Sequence, residues 1–257
     1  MATFVSLISG SSGNATFVSD GKTNLLIDCG MSGAKLKESL HAIDVMPESI
    51  DALLITHEHV DHTKGAGVIS RRYNIPIYTT QGTHTSMDIG NIADENIKII
   101  TEDTDFEIGN IGICPFAIPH DAAQPVGFNF MIGDEKYSLA TDIGQITKSI
   151  LENITGSKKI LLESNHDVEM LKCGTYPYPL KRRILGEYGH LSNETASKVA
   201  LHLVQNGTEH IMLGHLSKEN NRPEIAMLET DNLLSQSGVD VGKDMTLQVA
   251  DRYKPTL

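Results

Sequence analysis

Five short apolar runs in this chain end in a carboxylate or an imidazole: NLLID at Asp28, LLITH at His57, YSLATD at Asp142, KILLE at Glu163 and HIMLGH at His215. Apolar runs bounded by turn residues read as strands. Sites on sheet scaffolds are commonly assembled from loops leaving one rim, so the five run ends are candidates to converge. Any one alone is only a strand reaching water.

Further strands are expected at TFVSLI, ATFVS, DALLIT, IPIYTT, IGICPFAI, VGFNFMI and DMTLQVAD, the penultimate followed by a GDEK turn. Helices are expected over 33–42, 60–73 and 222–235, and over SNETASKVALHLVQNG, with Ser192 as N-cap and Gly207 as the C-terminal cap. No repeat or linker divides the 257 residues, so a single α/β domain over 1–257 is expected. No apolar run approaches the roughly 20 residues that cross a bilayer, and the start lacks the features of a signal peptide, so the expected location is the cytoplasm, away from any membrane. Cys29, Cys114 and Cys173 form no CxxC pair and are expected to be reduced, mostly buried thiols.

THEHVDH, residues 56–62, carries the densest coordinating chemistry. It is not the HExxH helix of zinc proteases, because Asp61 stands where the second histidine belongs. In extended backbone His57 and His59 project to one face and can share an ion, while Glu58 points away. If a helix begins near Val60, Asp61 and His62 swing toward a second ion. His120, Asp142 and His215 are the best candidates to complete the two shells, and Asp142 has the two oxygens needed to bridge.

In this order the elements resemble the metallo-β-lactamase superfamily. The resemblance implies an αββα sandwich, two mixed β-sheets with helices on their outer faces. It implies one ion on His57, His59 and His120, a second on Asp61, His62 and His215, and Asp142 between them. Asp28 matches an early aspartate that supports the metal loop by hydrogen bonding. Two such ions, zinc or manganese, hold a hydroxide that can attack β-lactams, thioesters, lactones or phosphodiesters.

Three features outside the metal motif lean toward phosphodiesters. His190, just before the Ser192 helix, can contact phosphate or protonate a leaving oxygen, with Glu163 as its partner; similar elements occur in ribonuclease Z-like members of the superfamily. The segment 171–188 interleaves Lys172, Lys181, Arg182 and Arg183 with Tyr176, Tyr178 and Tyr188, as nucleic-acid grooves do. SGSSGN, with Ser12 and Asn14, offers amides and an amide side chain to an anion. With ESNHD, which adds His166 on the substrate side or at a helix start, these motifs resemble the YycJ (WalJ)-like branch. That branch implies a metal-dependent 5′-to-3′ DNA exonuclease whose candidate catalytic residues are His190, Glu163 and Asp61. The formal net charge of −12 argues against broad attraction to a polyanion, although bound cations reverse the local sign. Hydrolysis of a small thioester, lactone or cyclic phosphodiester, and RNA processing of the ribonuclease Z kind, are the alternatives.

Overall fold

The structure is a computed structural model that describes residues 2–257. Its strands fall into a six-stranded sheet, β1 to β6, and a seven-stranded sheet, β7 to β13. The chain forms two compact units. The first holds the residues up to Ala117 with Ala122–Gly133 and Asp251–Leu257; the second holds Ile118–Asp121 and Asp134–Ala250.

In the first unit, β1 (Thr3–Ile8), β2 (Ala15–Ser19) and β3 (Asn24–Ile27) pair antiparallel, with a bulge between Ser6 and Ile8. From β3 onward the pairing is parallel through β4 (Ala52–Leu54), β5 (Ile77–Thr80) and β6 (Ile97–Ile100). Parallel strands are typically covered on both faces and so read as unbroken apolar runs; Leu25, Leu26, Ile27, Ala52, Leu53 and Leu54 are all fully buried. The helices are α1 (Gly33–His41), α2 (Val60–Thr63), α3 (Ala66–Tyr73) and α4 (Gln81–Ser86). Leu36, Leu40 and Ile69 join Leu7, Phe17, Leu26, Leu53 and Ile77 in one apolar core. A meander of β7 (Phe106–Ile108), β8 (Ile111–Ala117) and β9 (Val126–Ile132) completes the unit.

In the second unit β10 (Glu135–Ala140), β11 (Lys159–Glu163), β12 (His210–Gly214) and β13 (Thr246–Val249) run parallel in that order. The connections carry α5 (Lys148–Ile154), α6 (Val168–Cys173), α7 (Tyr178–Ile184), α8 (Asn193–Gln205) and α9 (Pro223–Gln236). Helix α8 follows its sequence signals: the Ser192 hydroxyl accepts from the Thr195 amide, and Ala196, Val199, Ala200 and Leu203 form one buried stripe. At its far end the expected Gly207 follows the cap residue Asn206, adopts φ 94° and donates its amide to Val204 O, which closes the helix.

Register explains the run ends. β3 and β4 are parallel neighbours, so Asp28 and His57 follow strands that finish at the same rim of the first unit. In the second unit Ala140 pairs with Leu162 and Glu163 with Gly214, which sets Asp142, Glu163 and His215 at one rim. The carboxyl ends of parallel strands are where α/β sheets bind ligands. Among the described residues no helix is long and apolar enough to cross a membrane. The cysteines depart from expectation: Cys29 is buried, but Cys114 is half-buried and Cys173 exposed, because they stand on β8 and at the end of a short surface helix.

Candidate metal and catalytic centre

The first unit gathers four candidate ligands on the turn after β4. The His57 ring lies 4.6 Å from that of His59 and 4.2 Å from that of His62, centroid to centroid. Asp61 Oδ2 is 3.6 Å from His62 Nε2. Helix α2 begins at Val60, which separates the extended His57–His59 pair from the helical Asp61–His62 pair. Glu58 Oε1 instead accepts from the Ala123 amide at 2.8 Å and anchors a loop.

Asp28 holds this turn together. Its Oδ1 accepts from the Thr56 amide at 2.9 Å, and His62 Nδ1 lies 2.8 Å from its Oδ2. Asn14 belongs to the same scaffold: its amide donates to Asp61 O at 2.8 Å, and its side chain bonds Gly10 at both N and O. The amides of Gly10, Ser12, Gly13 and Asn14 all donate within the protein, so the SGSSGN loop buttresses the turn. Ser12 is exposed, 3.5 Å from Arg252 Nη1. Gly30 is required by proximity, since a Cβ there would lie 1.6 Å from Asp61 O. Gly30→Ala is therefore expected to displace the Asp61 loop and to lower stability by about 1–3 kcal/mol. A urea midpoint equal to that of the parent protein would contradict this.

The second unit supplies the remaining candidates. Asp142 Oδ1 lies 3.8 Å from His120 Nε2, 3.7 Å from His190 Nδ1 and 3.4 Å from His215 Nε2. Asp142, Glu163, His190 and His215 each offer a ligand atom within 4.8 Å of the others. Fully buried Glu163 is the hub: Oε1 lies 2.8 Å from His190 Nδ1 and 3.0 Å from His215 Nδ1, while Oε2 accepts from the Ile143 and Leu191 amides. Burial raises the Glu163 carboxyl, but the His190 charge and the hydrogen bonds from His190 and His215 outweigh it and hold the group well below the usual carboxylate range. Burial also pushes His120 down, which keeps it neutral.

Three imidazoles show the same anchoring. His62 Nδ1 faces Asp28, His215 Nδ1 faces Glu163, and His120 Nδ1 lies 3.2 Å from Gly189 O. A carbonyl and two carboxylates can only accept, so each Nδ1 carries the proton and each Nε2 presents its lone pair. That is the tautomer and partner pattern of metal-binding histidines, and the donor set fits divalent metal ions. Burial and the neighbouring Asp28 charge push the Cys29 thiol up to about 12, which leaves it protonated and outside this chemistry.

Asp28, Asp142 and His215 share a feature that no sequence motif announces. All three adopt left-handed backbone, with φ of 60°, 61° and 54°. One such residue after a strand stops the strand and re-aims the side chain, in a backbone conformation that aspartate and histidine tolerate better than most residues.

The segment 171–188 divides by role. Lys181 Nζ donates to Lys172 O and Gly174 O, both at 2.7 Å, and closes the end of α6. Lys172 pairs with Glu169, and Arg183 with Asp121. Arg182, Tyr178 and Tyr188 remain exposed. His166, by contrast, is 1% exposed.

The profile of the beta-lactamase superfamily domain matches residues 23–215, three quarters of the chain. The chain belongs to the metallo-β-lactamase superfamily. Within that superfamily it is 39% identical to exodeoxyribonuclease WalJ of Streptococcus pneumoniae serotype 2 over 242 residues, 93% of this chain and 90% of the relative. It is 36% identical to exodeoxyribonuclease YycJ of Bacillus anthracis over 255 residues, 98% and 97% of the two chains. These relatives place it in the YycJ (WalJ)-like branch. The metallo-β-lactamase fold protein YhfI from Bacillus subtilis superposes with a TM-score of 0.72 at 16% identity, covering 100% of this chain and 99% of that one. The superfamily fold, two mixed sheets flanked by helices, is therefore the fold of this chain.

Proposed function

We propose that this chain is a dinuclear metal-dependent phosphodiesterase that degrades DNA from the 5′ end. His57, His59 and His120 would hold one divalent ion, zinc or manganese. Asp61, His62 and His215 would hold the other, with Asp142 available as a ligand to both. The chain as a whole is read as one hydrolase domain. The names of the two relatives support the substrate class, and a cytoplasmic location accords with it.

The observation that carries the hydrolytic reading is the Glu163 carboxylate between His190 and His215. One carboxylate orients a proposed metal ligand and a proposed proton donor together. When bound, the ions supply an activated water and neutralise charge developing at phosphorus. The residues of the chain do the remainder. Asp28 and Glu163 fix imidazole tautomers, and Asp61 adds a carboxylate to the ligand set. His190, its side chain 20% exposed, gives a proton from Nε2 to the leaving oxygen. Ser12, Arg182 and His166 contact the substrate, while Asn14 and Lys181 support it through the loops they brace.

Metal-supplemented assays with 5′- and 3′-labelled DNA test this reading. Release of label from the 5′ end first is the expected result. Inactivity on every DNA, with turnover of a thioester, lactone, cyclic phosphodiester or precursor RNA, would overturn it. His190→Ala is expected to lower turnover about 10²-fold while retaining the metal content. Full activity in that variant removes His190 from the mechanism.

A further inference from the structure

Beside His190 the second unit carries a cleft of about 320 Å³, within the usual range for small-ligand sites. It opens between the turn after β10 and the start of α8. Ile146, Val168, Leu185 and Leu191 give it aliphatic walls, and Gln145, Ser192 and Thr195 give it hydrogen-bonding groups. None of its lining residues is a lysine or an arginine.

His166 lines this cleft, and neither of its buried ring nitrogens has a hydrogen-bond partner among the described residues. An orphaned buried imidazole costs about 1–3 kcal/mol, so it marks a place where a ligand completes the structure. The ring is held in place by its backbone: His166 pairs with Ser192 in a β-bridge, and the Asn193 amide donates to His166 O at 2.9 Å. Burial pushes the imidazole down to about 4, so it is neutral at physiological pH and offers one donor and one acceptor.

A terminal phosphate calls for several cationic partners, and apart from His190 this cleft has none in its lining. Apolar walls with a buried, neutral donor and acceptor in the lining suit a flat, uncharged, hydrogen-bonding group. We infer that the cleft binds the nucleobase of the terminal nucleotide and seats that nucleotide beside His190. The inference rests on the nuclease reading. Because the imidazole, the Gln145 amide and the two hydroxyls can each donate or accept, the site takes any of the four bases and gives an exonuclease grip without sequence preference.

The test compares DNA bearing a normal 5′-terminal nucleotide with DNA bearing an abasic tetrahydrofuran there. The parent protein is expected to degrade the abasic end roughly tenfold more slowly in kcat/KM, the scale of one buried, hydrogen-bonded group. Gln145→Ala, on the exposed wall, is expected to slow the normal end and leave the abasic end unchanged, and His166→Asn to slow the normal end more than the abasic end. Equal rates on the two ends in the parent protein, or equal slowing of both ends in both variants, overturns the base site while leaving the exonuclease reading intact. A readout without turnover separates the two further. Deoxyadenosine added to the purified protein is expected to shift the His166 imidazole resonances, and inorganic phosphate is expected not to. A shift with phosphate and none with the nucleoside overturns the inference in favour of an anion site. Failure to degrade any DNA end removes the nuclease reading and the base site with it.

Discussion

Asp142→Asn is expected to lower hydrolysis by about 10³-fold or more, the scale of losing a group that fixes charge at the reacting centre. Metal content of the purified protein is expected to fall from about two ions per chain to one or fewer. The asparagine variant is the informative one because of the backbone. Asp142 sits at φ 61°, where asparagine and aspartate are at ease and alanine costs about 1–2 kcal/mol. Asp142→Asn should therefore melt close to the parent protein, and its lost activity reports lost charge. Asp142→Ala adds the backbone cost to the same chemical loss. The carboxylate stands 3.4 Å from His215 Nε2 and 3.8 Å from His120 Nε2, so an amide in its place turns either a neutral oxygen or a donor toward imidazole lone pairs. Elemental analysis beside a melting curve checks the prediction. Undiminished metal content with undiminished turnover removes Asp142 from the bridging position.

How far this arrangement can be read from sequence depends on the range of the interaction. TFVSLI, ATFVS and VGFNFMI match β1, β2 and β9 residue for residue, because a buried strand writes its limits into local composition. The helix expected over 60–73 starts correctly at Val60 but breaks into α2 and α3. Gly65 lies at the break, its amide on Cys29 O, where a Cβ would come 2.2 Å from Met31 O. That interruption is imposed by a loop more than thirty residues earlier, and helical periodicity carries no trace of it. The short helices α4 and α5 likewise leave no periodic mark in the sequence, being too brief to establish an apolar stripe. The candidate ligands were legible as residue types at run ends. The left-handed backbone of Asp142 and His215 is not, since a single-residue φ leaves no periodic mark. Asn14 illustrates the same limit: a short polar residue in a small-residue turn reads as a substrate contact, whereas its bonds to Gly10 and Asp61 make it a brace.

Glu163→Gln is the second substitution expected to act strongly, and it changes no volume. Each Glu163 oxygen receives two donors: Oε1 the His190 and His215 imidazoles, Oε2 the Ile143 and Leu191 amides. Glutamine offers one oxygen and one NH₂. If the NH₂ faces the backbone, two buried amides lose their acceptor, at about 1–3 kcal/mol for each. If it faces the imidazoles, His215 must move its proton from Nδ1 to Nε2 and turns an N–H where a lone pair is needed, while His190 loses the acceptor that orients it. Both outcomes are destabilising, and the second disables two residues through one atom. Loss of a carboxylate partner to a metal-binding histidine typically costs about 10–100-fold in metal affinity, and a wrong imidazole tautomer up to about 10⁴ in turnover. The expected result is thus about a 10³-fold loss of turnover, weakened metal retention and a lower melting temperature. Imidazole nitrogen resonances of His215 distinguish the two orientations of the glutamine, because only the second moves the proton to Nε2. A Glu163→Gln protein with parental turnover, metal content and melting temperature would mean that neither imidazole depends on this carboxylate for its tautomer.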